Sequence, residues 1–411
     1  MAATAAIKLN MTNLDHQLRG AQRRGAPDRF PDFVARRLRE YYVDRLQNAW
    51  GGSHPLRDMT PPPDAVHFSS NDYLSLLDES ALRQHQAQVL LNNKRELLIS
   101  SAFLHRDSPQ HAFERRLAHF IGAEDGVICQ SGWAANVGLL QSLAAPDIPV
   151  YLDMHAHASL REGALAAGAR FVPFLHNNVQ HARSRLAKHG AGVIAVDSVY
   201  STSGSVAPLP ALVELAEATG SILVVDESHS LGTHGPGGRG LVCELGLAER
   251  VHFRTASLAK AFAGRAGFIS CSSEFKEYFA CESRPAIFSS GLLAHEIAWF
   301  DAALPFISTA HARRARLHRM ARLVRRELAR LGYALSEGTE QIISLESGTE
   351  RNTLRLRNAL QRRGVFGAVF CAPATPKRHS LVRFTLNAGH TDHDIERLLR
   401  ACADIRGEVN L

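Results

Sequence analysis

Between residues 120 and 272 the chain alternates two kinds of apolar segment. Short runs rich in β-branched and aromatic residues stand at Gly126–Gln130, Val150–Asp153, Phe171–Phe174, Val193–Asp197, Ile222–Asp226 and Gly267–Cys271, and Ala/Leu-rich stretches separate them. Such alternation predicts a mostly parallel sheet covered by helices, the α/β class. The last hundred residues follow another pattern. Leu317, Met320, Ala321, Val324, Leu328 and Leu331 recur at helical spacing among arginines over 311–331, which predicts an amphipathic helix with a solvated basic face. Strands are expected at Ile342–Leu345, Val365–Phe370 and Leu381–Leu386, with a helix at Asp392–Ala403, a smaller α+β domain. Before residue 66, Arg-rich helical stretches are broken at Gly51-Gly52 and Pro61-Pro62-Pro63. The expected division is therefore an N-terminal helical arm (1–66), a large domain (67–300) and a C-terminal small domain (301–411).

Composition narrows the class of protein. A chain of 411 residues with 45% hydrophobic and 21% charged residues is neither disordered nor fibrous, and is long enough for an enzyme with a large core. The net charge of +7 leaves an anionic partner open, and a phosphate-rich coenzyme satisfies it as well as nucleic acid does. The six cysteines form no C-x-x-C pair, so neither a disulfide framework nor a cysteine-based zinc site is expected. No segment approaches the roughly 18 continuous apolar residues of a spanning helix, and the N-terminus has no apolar leader core. A cytoplasmic protein with no membrane insertion and no metal is the expectation.

Four segments carry candidate chemistry. Ile222–Asp226 runs directly into Glu227-Ser228-His229, placing Asp226 and His229 at the carboxyl end of a strand, where open α/β sheets bind ligands. A carboxylate there keeps a pyridine nitrogen protonated and so makes the ring an electron sink. About thirty residues on, Lys260 stands among small apolar residues in Thr255-Ala-Ser-Leu-Ala-Lys260-Ala-Phe-Ala-Gly-Arg265-Ala-Gly267. Desolvation there lowers an amine's pKa and makes it a better nucleophile. Ser257 and Arg265 are candidate phosphate contacts. In Gln130-Ser-Gly-Trp-Ala-Ala-Asn136, Ser131, Gly132 and Trp133 open a helix whose free N–H groups suit a phosphate. In Asp153-Met-His-Ala-His157-Ala-Ser159, His157 is placed to lie flat on a cofactor ring.

Together these segments resemble the α-oxoamine synthase family of fold-type I pyridoxal-phosphate (PLP) enzymes, over nearly the whole chain. The resemblance implies PLP as cofactor, with Lys260 carrying it, Asp226 at the ring nitrogen, His229 at the ring hydroxyl and His157 stacked on the ring. The family's N-D-Y-L motif stands as Asn71-Asp72-Tyr73-Leu74, and its substrate-carboxylate arginine as Arg383 in Leu381-Val-Arg-Phe-Thr-Leu386. Ser201, in Val199-Tyr-Ser-Thr202, matches another cofactor-side polar group. Ser290, in Ile287-Phe-Ser-Ser-Gly-Leu292, matches a hydroxyl that reaches the phosphate from the neighbouring subunit, which implies a homodimer with shared sites.

Within that family the resemblance is to the α-hydroxyketone autoinducer synthases of quorum sensing. It rests on Gln130–Leu140, Asp226–Pro236, Thr255–Lys260 and Gly364–Cys371. Trp133 replaces the family's usual Tyr or Phe, and Ile99-Ser-Ser-Ala-Phe-Leu-His-Arg106 replaces a Gly-rich segment that shapes the substrate pocket. The implied substrates are a small amino acid such as 2-aminobutyrate and a medium-chain acyl-CoA, joined with loss of carbon dioxide to an α-aminoketone. In that reading Lys260 and His157 handle protons, and Arg383 and Asn71 hold the substrate carboxylate. The alternatives are synthesis of 8-amino-7-oxononanoate, 5-aminolevulinate, 2-amino-3-oxobutyrate or sphingoid bases, a noncatalytic homologue, or a nucleic-acid binder suggested only by a pI of about 9.3.

Overall fold

In the computed structural model, which describes residues 30–55, 59–93, 98–335 and 338–408, the central apolar runs pair into one seven-stranded sheet. The strands in chain order are β1 (Val66–His67), β2 (Asp125–Cys129), β3 (Val150–Asp153), β4 (Phe171–Phe174), β5 (Val193–Asp197), β6 (Ile222–Asp226), β7 (Phe253–Ser257), β8 (Gly267–Cys271), β9 (Ile342–Gly348), β10 (Val365–Phe366), β11 (Ala368–Phe370) and β12 (Ser380–Thr385). The large sheet has the order β2-β8-β7-β6-β5-β3-β4. Only β8 runs antiparallel to its neighbours. Crossover helices such as Gly132–Leu143 and Leu209–Thr219 bury apolar faces against it, as parallel strands require. The observed class is the expected one, α/β with a mostly parallel central sheet covered by helices.

Strand β7 escapes a reading by hydrophobicity because Arg254 and Thr255 interrupt it. The arginine is nonetheless buried, and Nη2 donates to the Ile121 carbonyl at 2.7 Å while Nη1 lies 3.7 Å from the Glu227 carboxylate. A charged side chain is tolerated in a central strand when its donors are satisfied this fully. The expected single strand at 365–370 is two. Gly367 separates β10, which pairs with β1, from β11, which joins β12 and β9 in a three-stranded antiparallel sheet. A Cβ at Gly367 would lie 2.8 Å from the Phe384 ring, so only glycine passes there.

The basic helix spans His311–Arg330, with Leu317, Met320, Ala321, Val324 and Leu328 buried as the spacing predicts. Its arginines are not all solvated. Arg314 is buried and bonds the Ile307 carbonyl, Arg313 bonds the Leu74 carbonyl at 2.7 Å, and Arg325 bonds the Glu340 carbonyl at 3.1 Å. Residues 30–55 form a separate unit, with a helix at Asp32–Arg39 that winds on to Ala49. The Ala- and Arg-rich residues before 30 lie outside the described residues. None of the six cysteines forms a disulfide, and among the described residues no helix is long and apolar enough to cross a membrane.

The core beneath the helix Ala294–Thr309 is closed by Phe300, fully buried and stacked on Phe113 with centroids 5.8 Å apart. Phe300→Ala is expected to destabilise the fold by about 3 to 5 kcal/mol, read as a lower urea midpoint at unchanged slope.

Candidate active site

The carboxyl ends of β5, β6 and β7 lie side by side in register, so Asp197, Asp226 and Thr255 are consecutive cross-strand neighbours. Asn136, one helical turn into Gly132–Leu143, ties this row together. Its Oδ1 accepts from the Thr255 hydroxyl at 2.6 Å, and its Nδ2 donates to Asp226 Oδ2 at 2.7 Å and to Ser159 Oγ at 2.8 Å. Ser159 Oγ in turn lies 2.7 Å from His157 Nδ1. With both amide groups of Asn136 committed, the serine proton goes to His157, whose own proton is thereby assigned to Nε2. The other Asp226 oxygen accepts from the Ser228 amide at 2.8 Å. Asp226 is thus clamped by two donors at the strand end.

The turn before His157 is shaped by Asp153, which accepts from the His155 amide at 2.8 Å, and the His157 amide donates to Asp197 at 3.1 Å. Trp133 stands edge-on to the imidazole, ring centroids 6.1 Å apart. His229 is buried, with Nδ1 2.6 Å from the hydroxyl of fully buried Tyr73. Burial pushes the Tyr73 phenol well up, so it stays protonated and donates to His229. Burial, then the Lys260, Arg383 and His157 charges, hold His229 well below its ordinary value, in its neutral form.

Two glycines permit the next contact. A Cβ at Gly132 would lie 2.6 Å from Ser257 Cβ, and one at Gly267 would lie 2.2 Å from the Ser131 carbonyl oxygen. Their absence brings the amino end of the helix Gly132–Leu143, capped by Ser131, directly against Ser257. The first-turn N–H groups of a helix have no internal acceptor, so Ser257 and this helix end form a cradle for an anion. Lys260 lies on the following turn, where Ala263 is held at φ 51°, in the left-handed region, by a bond from its amide to the Lys260 carbonyl at 2.9 Å. Burial and then Arg383 lower the Lys260 pKa, against the pull of Asp226 and Asp197.

Gly132, Trp133, Asn136, His157, Asp197, Asp226, Ser228, His229, Ser257 and Lys260 line one cleft of about 380 Å³, mouth included. Arg383 acts on the same cleft from β12. It is buried, donates to the Ser201 carbonyl at 2.9 Å and to Asn71 Oδ1 at 3.3 Å, and lies over the Phe370 ring. Its Nε has no acceptor, and among the described residues no carboxylate pairs with it. Ser201 therefore enters the site through its backbone. Two candidates lie elsewhere in this chain: Ser290 is exposed, bridged to Ser100, and Arg265 is on the surface, paired with Glu296 at 2.9 Å. Asn136, Asp197 and Ser228 were not singled out by the sequence. The one available signal was an asparagine inside an otherwise apolar helix start.

The model of the class I and II aminotransferase family matches residues 63–402. The chain belongs to this family. It is 44% identical over 374 residues to a CAI-1 autoinducer synthase of Vibrio campbellii, covering 91% of this chain and 95% of the relative. It is 31% identical over 384 residues to an 8-amino-7-oxononanoate synthase of Geobacter sulfurreducens, covering 91% and 97%. A Sphingomonas wittichii serine palmitoyltransferase structure, 24% identical, superposes with a TM-score of 0.82 over 93% of this chain and 99% of the other. These relatives place the chain among the α-oxoamine synthases, and its cofactor is PLP.

The cleft fits that cofactor. The helix end beside Ser257 suits the phosphate, the clamped Asp226 suits a protonated ring nitrogen, and Lys260 offers a buried amine of lowered pKa. Two outcomes follow. Replacing Asn136 by Leu removes one of the two donors to Asp226, the donor to Ser159 and the acceptor of the Thr255 hydroxyl, so PLP should be lost at least tenfold more readily, with about 1 to 3 kcal/mol of stability, measured by absorbance titration and urea melts. In cofactor-free protein, unfolding lets His229 bind a proton that the folded ring refuses. Stability should therefore fall as pH drops below the ordinary value of 6.5, by at most about 1.4 kcal/mol per pH unit for this group. His229→Asn should flatten that slope.

Proposed function

We propose that the chain is a PLP-dependent acyltransferase joining a small amino acid of the 2-aminobutyrate type to a medium-chain acyl-CoA, with decarboxylation, to give the α-aminoketone precursor of an α-hydroxyketone autoinducer. The observation that carries the reading is Arg383. A buried guanidinium with an unused N–H and no carboxylate partner is costly, and an amino-acid carboxylate entering beside Lys260 supplies the missing charge. The 44% identity to a CAI-1 autoinducer synthase supports the autoinducer branch over the other synthases.

When bound, PLP supplies an electron sink for the carbanion formed at the amino acid's α-carbon. The protein's residues do the rest. Arg383 and Asn71 hold the carboxylate and so orient the α-carbon toward Lys260. The Lys260 amine, whose pKa burial and Arg383 lower, takes the α-proton at Nζ. Asp226, fixed by Asn136 and Ser228, would hold the ring nitrogen. His157, with its proton on Nε2, is the second proton carrier at the open edge of the cleft. His229, held neutral by burial and the neighbouring positive groups, has its proton on Nε2 because Nδ1 accepts from Tyr73, and would hold the ring hydroxyl. Acyl transfer forms the carbon–carbon bond to the thioester carbonyl and releases coenzyme A as thiol, and carbon dioxide leaves before reprotonation.

The reading includes a cytoplasmic homodimer, with Ser290 serving the neighbouring subunit's phosphate, and a cofactor-holding domain at 67–300 followed by a small domain at 301–411. Neither nucleic acid nor membrane belongs to it. Free thiol should appear with octanoyl- or decanoyl-CoA only when an amino acid is also present, fastest with 2-aminobutyrate among glycine, alanine, serine and 2-aminobutyrate. Arg383→Ala should cost about 2 to 5 kcal/mol in kcat/KM for the amino acid, with KM for acyl-CoA little changed. Thiol release independent of the amino acid would refute the acyl-transfer reading, and preference for glycine, alanine or serine would refute the autoinducer branch.

A further inference from the structure

Beyond the cleft, three side chains from distant parts of the chain converge. His234 lies on the loop after β6, His318 on the helix His311–Arg330, and Glu340 just before β9. The three offer ligand atoms within 4.8 Å of one another. His234 Nε2 is 2.9 Å and His318 Nδ1 is 3.5 Å from the same Glu340 oxygen, Oε2. These two separations bracket the edge of about 3.3 Å in a tetrahedron with the roughly 2.0–2.1 Å bonds of zinc to nitrogen and oxygen. His234 is buried and the other two are largely covered.

The hydrogen bonds at the far side of each ring decide what the near side can be. His318 Nε2 lies 2.8 Å from the Thr233 carbonyl oxygen, which only accepts, so that nitrogen carries a proton. His234 Nδ1 lies 2.9 Å from Thr233 Oγ1. The Thr233 hydroxyl has one proton and also lies 3.2 and 3.1 Å from the carbonyls of His229 and Ser230; when that proton goes to them, His234 Nδ1 donates to Oγ1 and Nε2 is left bare. Without a cation, protons join the three: Glu340 Oε2 accepts from His234 Nε2 at 2.9 Å, and the bond to Glu340 holds His318 above its ordinary value; with those protons displaced, each neutral ring presents a lone pair to the same point. Glu340 Oε1 is already taken by the Thr339 hydroxyl at 2.7 Å, and Arg325 bonds the Glu340 backbone carbonyl.

Three ligand atoms thus face one point, and a cation there takes the place of the protons that join them. The outer contacts are those that orient metal-bound histidines: one backbone carbonyl and one hydroxyl, each receiving the N–H that does not face the metal. We propose that His234, His318 and Glu340 form a site for a divalent transition metal of the zinc class, which nitrogen and carboxylate ligands favour. No sequence motif marks these ligands, which are 84 and 22 residues apart.

Occupation would have a consequence for the cleft. The His229 carbonyl accepts from Thr233 Oγ1 and from Gln341 Nε2 at 3.0 Å, so both sides of the metal site hold the backbone of His229. The metal would pin the loop after β6 to the helix His311–Arg330 and to β9, making it a structural clamp with no part in bond making.

The test uses PLP-loaded protein stripped with EDTA, exposed to zinc sulfate and desalted over chelating resin, alongside His318→Gln and Glu340→Gln. Circular dichroism and cofactor absorbance confirm that each variant is folded and loaded. Elemental analysis should find one zinc per chain in the parent, with at least tenfold weaker zinc binding in both variants. The melting temperature should rise with zinc in the parent alone, and cobalt(II) in place of zinc should give the visible bands of a low-coordinate nitrogen and oxygen site. No retained zinc in the parent, or equal retention in parent and variants, would overturn the proposal.

Discussion

The clamp on Asp226 is the contact on which the site depends. A carboxylate buried at the end of a central strand, next to buried Asp197, is stable only if donors surround it. Asn136 and the Ser228 amide are those donors. The crowding has an electrostatic price: burial and the Asp226 charge together raise the Asp197 pKa well above its ordinary value. Because Asn136 also bonds Thr255 and Ser159, the same side chain fixes the register of two strands, the position of the helix Gly132–Leu143 and the tautomer of His157. Fold and chemistry therefore share one set of hydrogen bonds.

The site is assembled from both ends of the chain. Asn71 and Tyr73 arrive from the segment after β1, which is held by pairing with β10 some three hundred residues later. Arg383 arrives on β12 and bonds Asn71 and the Ser201 carbonyl. Any loosening of the small antiparallel sheet would shift Arg383, and with it the positive charge that lowers the pKa values of Lys260 and His229. In the proposed reaction, substrate recognition and amine activation would be linked through one guanidinium, and a carboxylate bound there would weaken that influence on both groups.

Much of this was legible in the sequence. Strands such as Ile222–Asp226 are uninterrupted apolar runs ending in a charged residue, and both features reflect burial of the strand and exposure of its end to a ligand. Lys260 and Asp226 were legible for the same reason: reactive groups in apolar surroundings stand out. What was hidden depends on contacts across the chain. Strand β7 carries an arginine whose partners, Ile121 and Glu227, lie far away in sequence. Asn136 reads as a helix residue until β6 and β7 are placed beside it. Arg265, read as a phosphate contact for its positive charge, points outward to Glu296. Ser290 can serve a cleft only if another subunit brings one to it.

The central claim is that Lys260 is the amine carrying PLP in a cleft organised by Asp226. The most direct measurement is borohydride reduction of the PLP-loaded protein, followed by proteolysis and mass spectrometry of the modified peptide. The account predicts a single reduced pyridoxyl adduct on Lys260, absent from folded Lys260→Ala protein. Reduction at another lysine, or retention of the label in the Lys260→Ala variant, would contradict it.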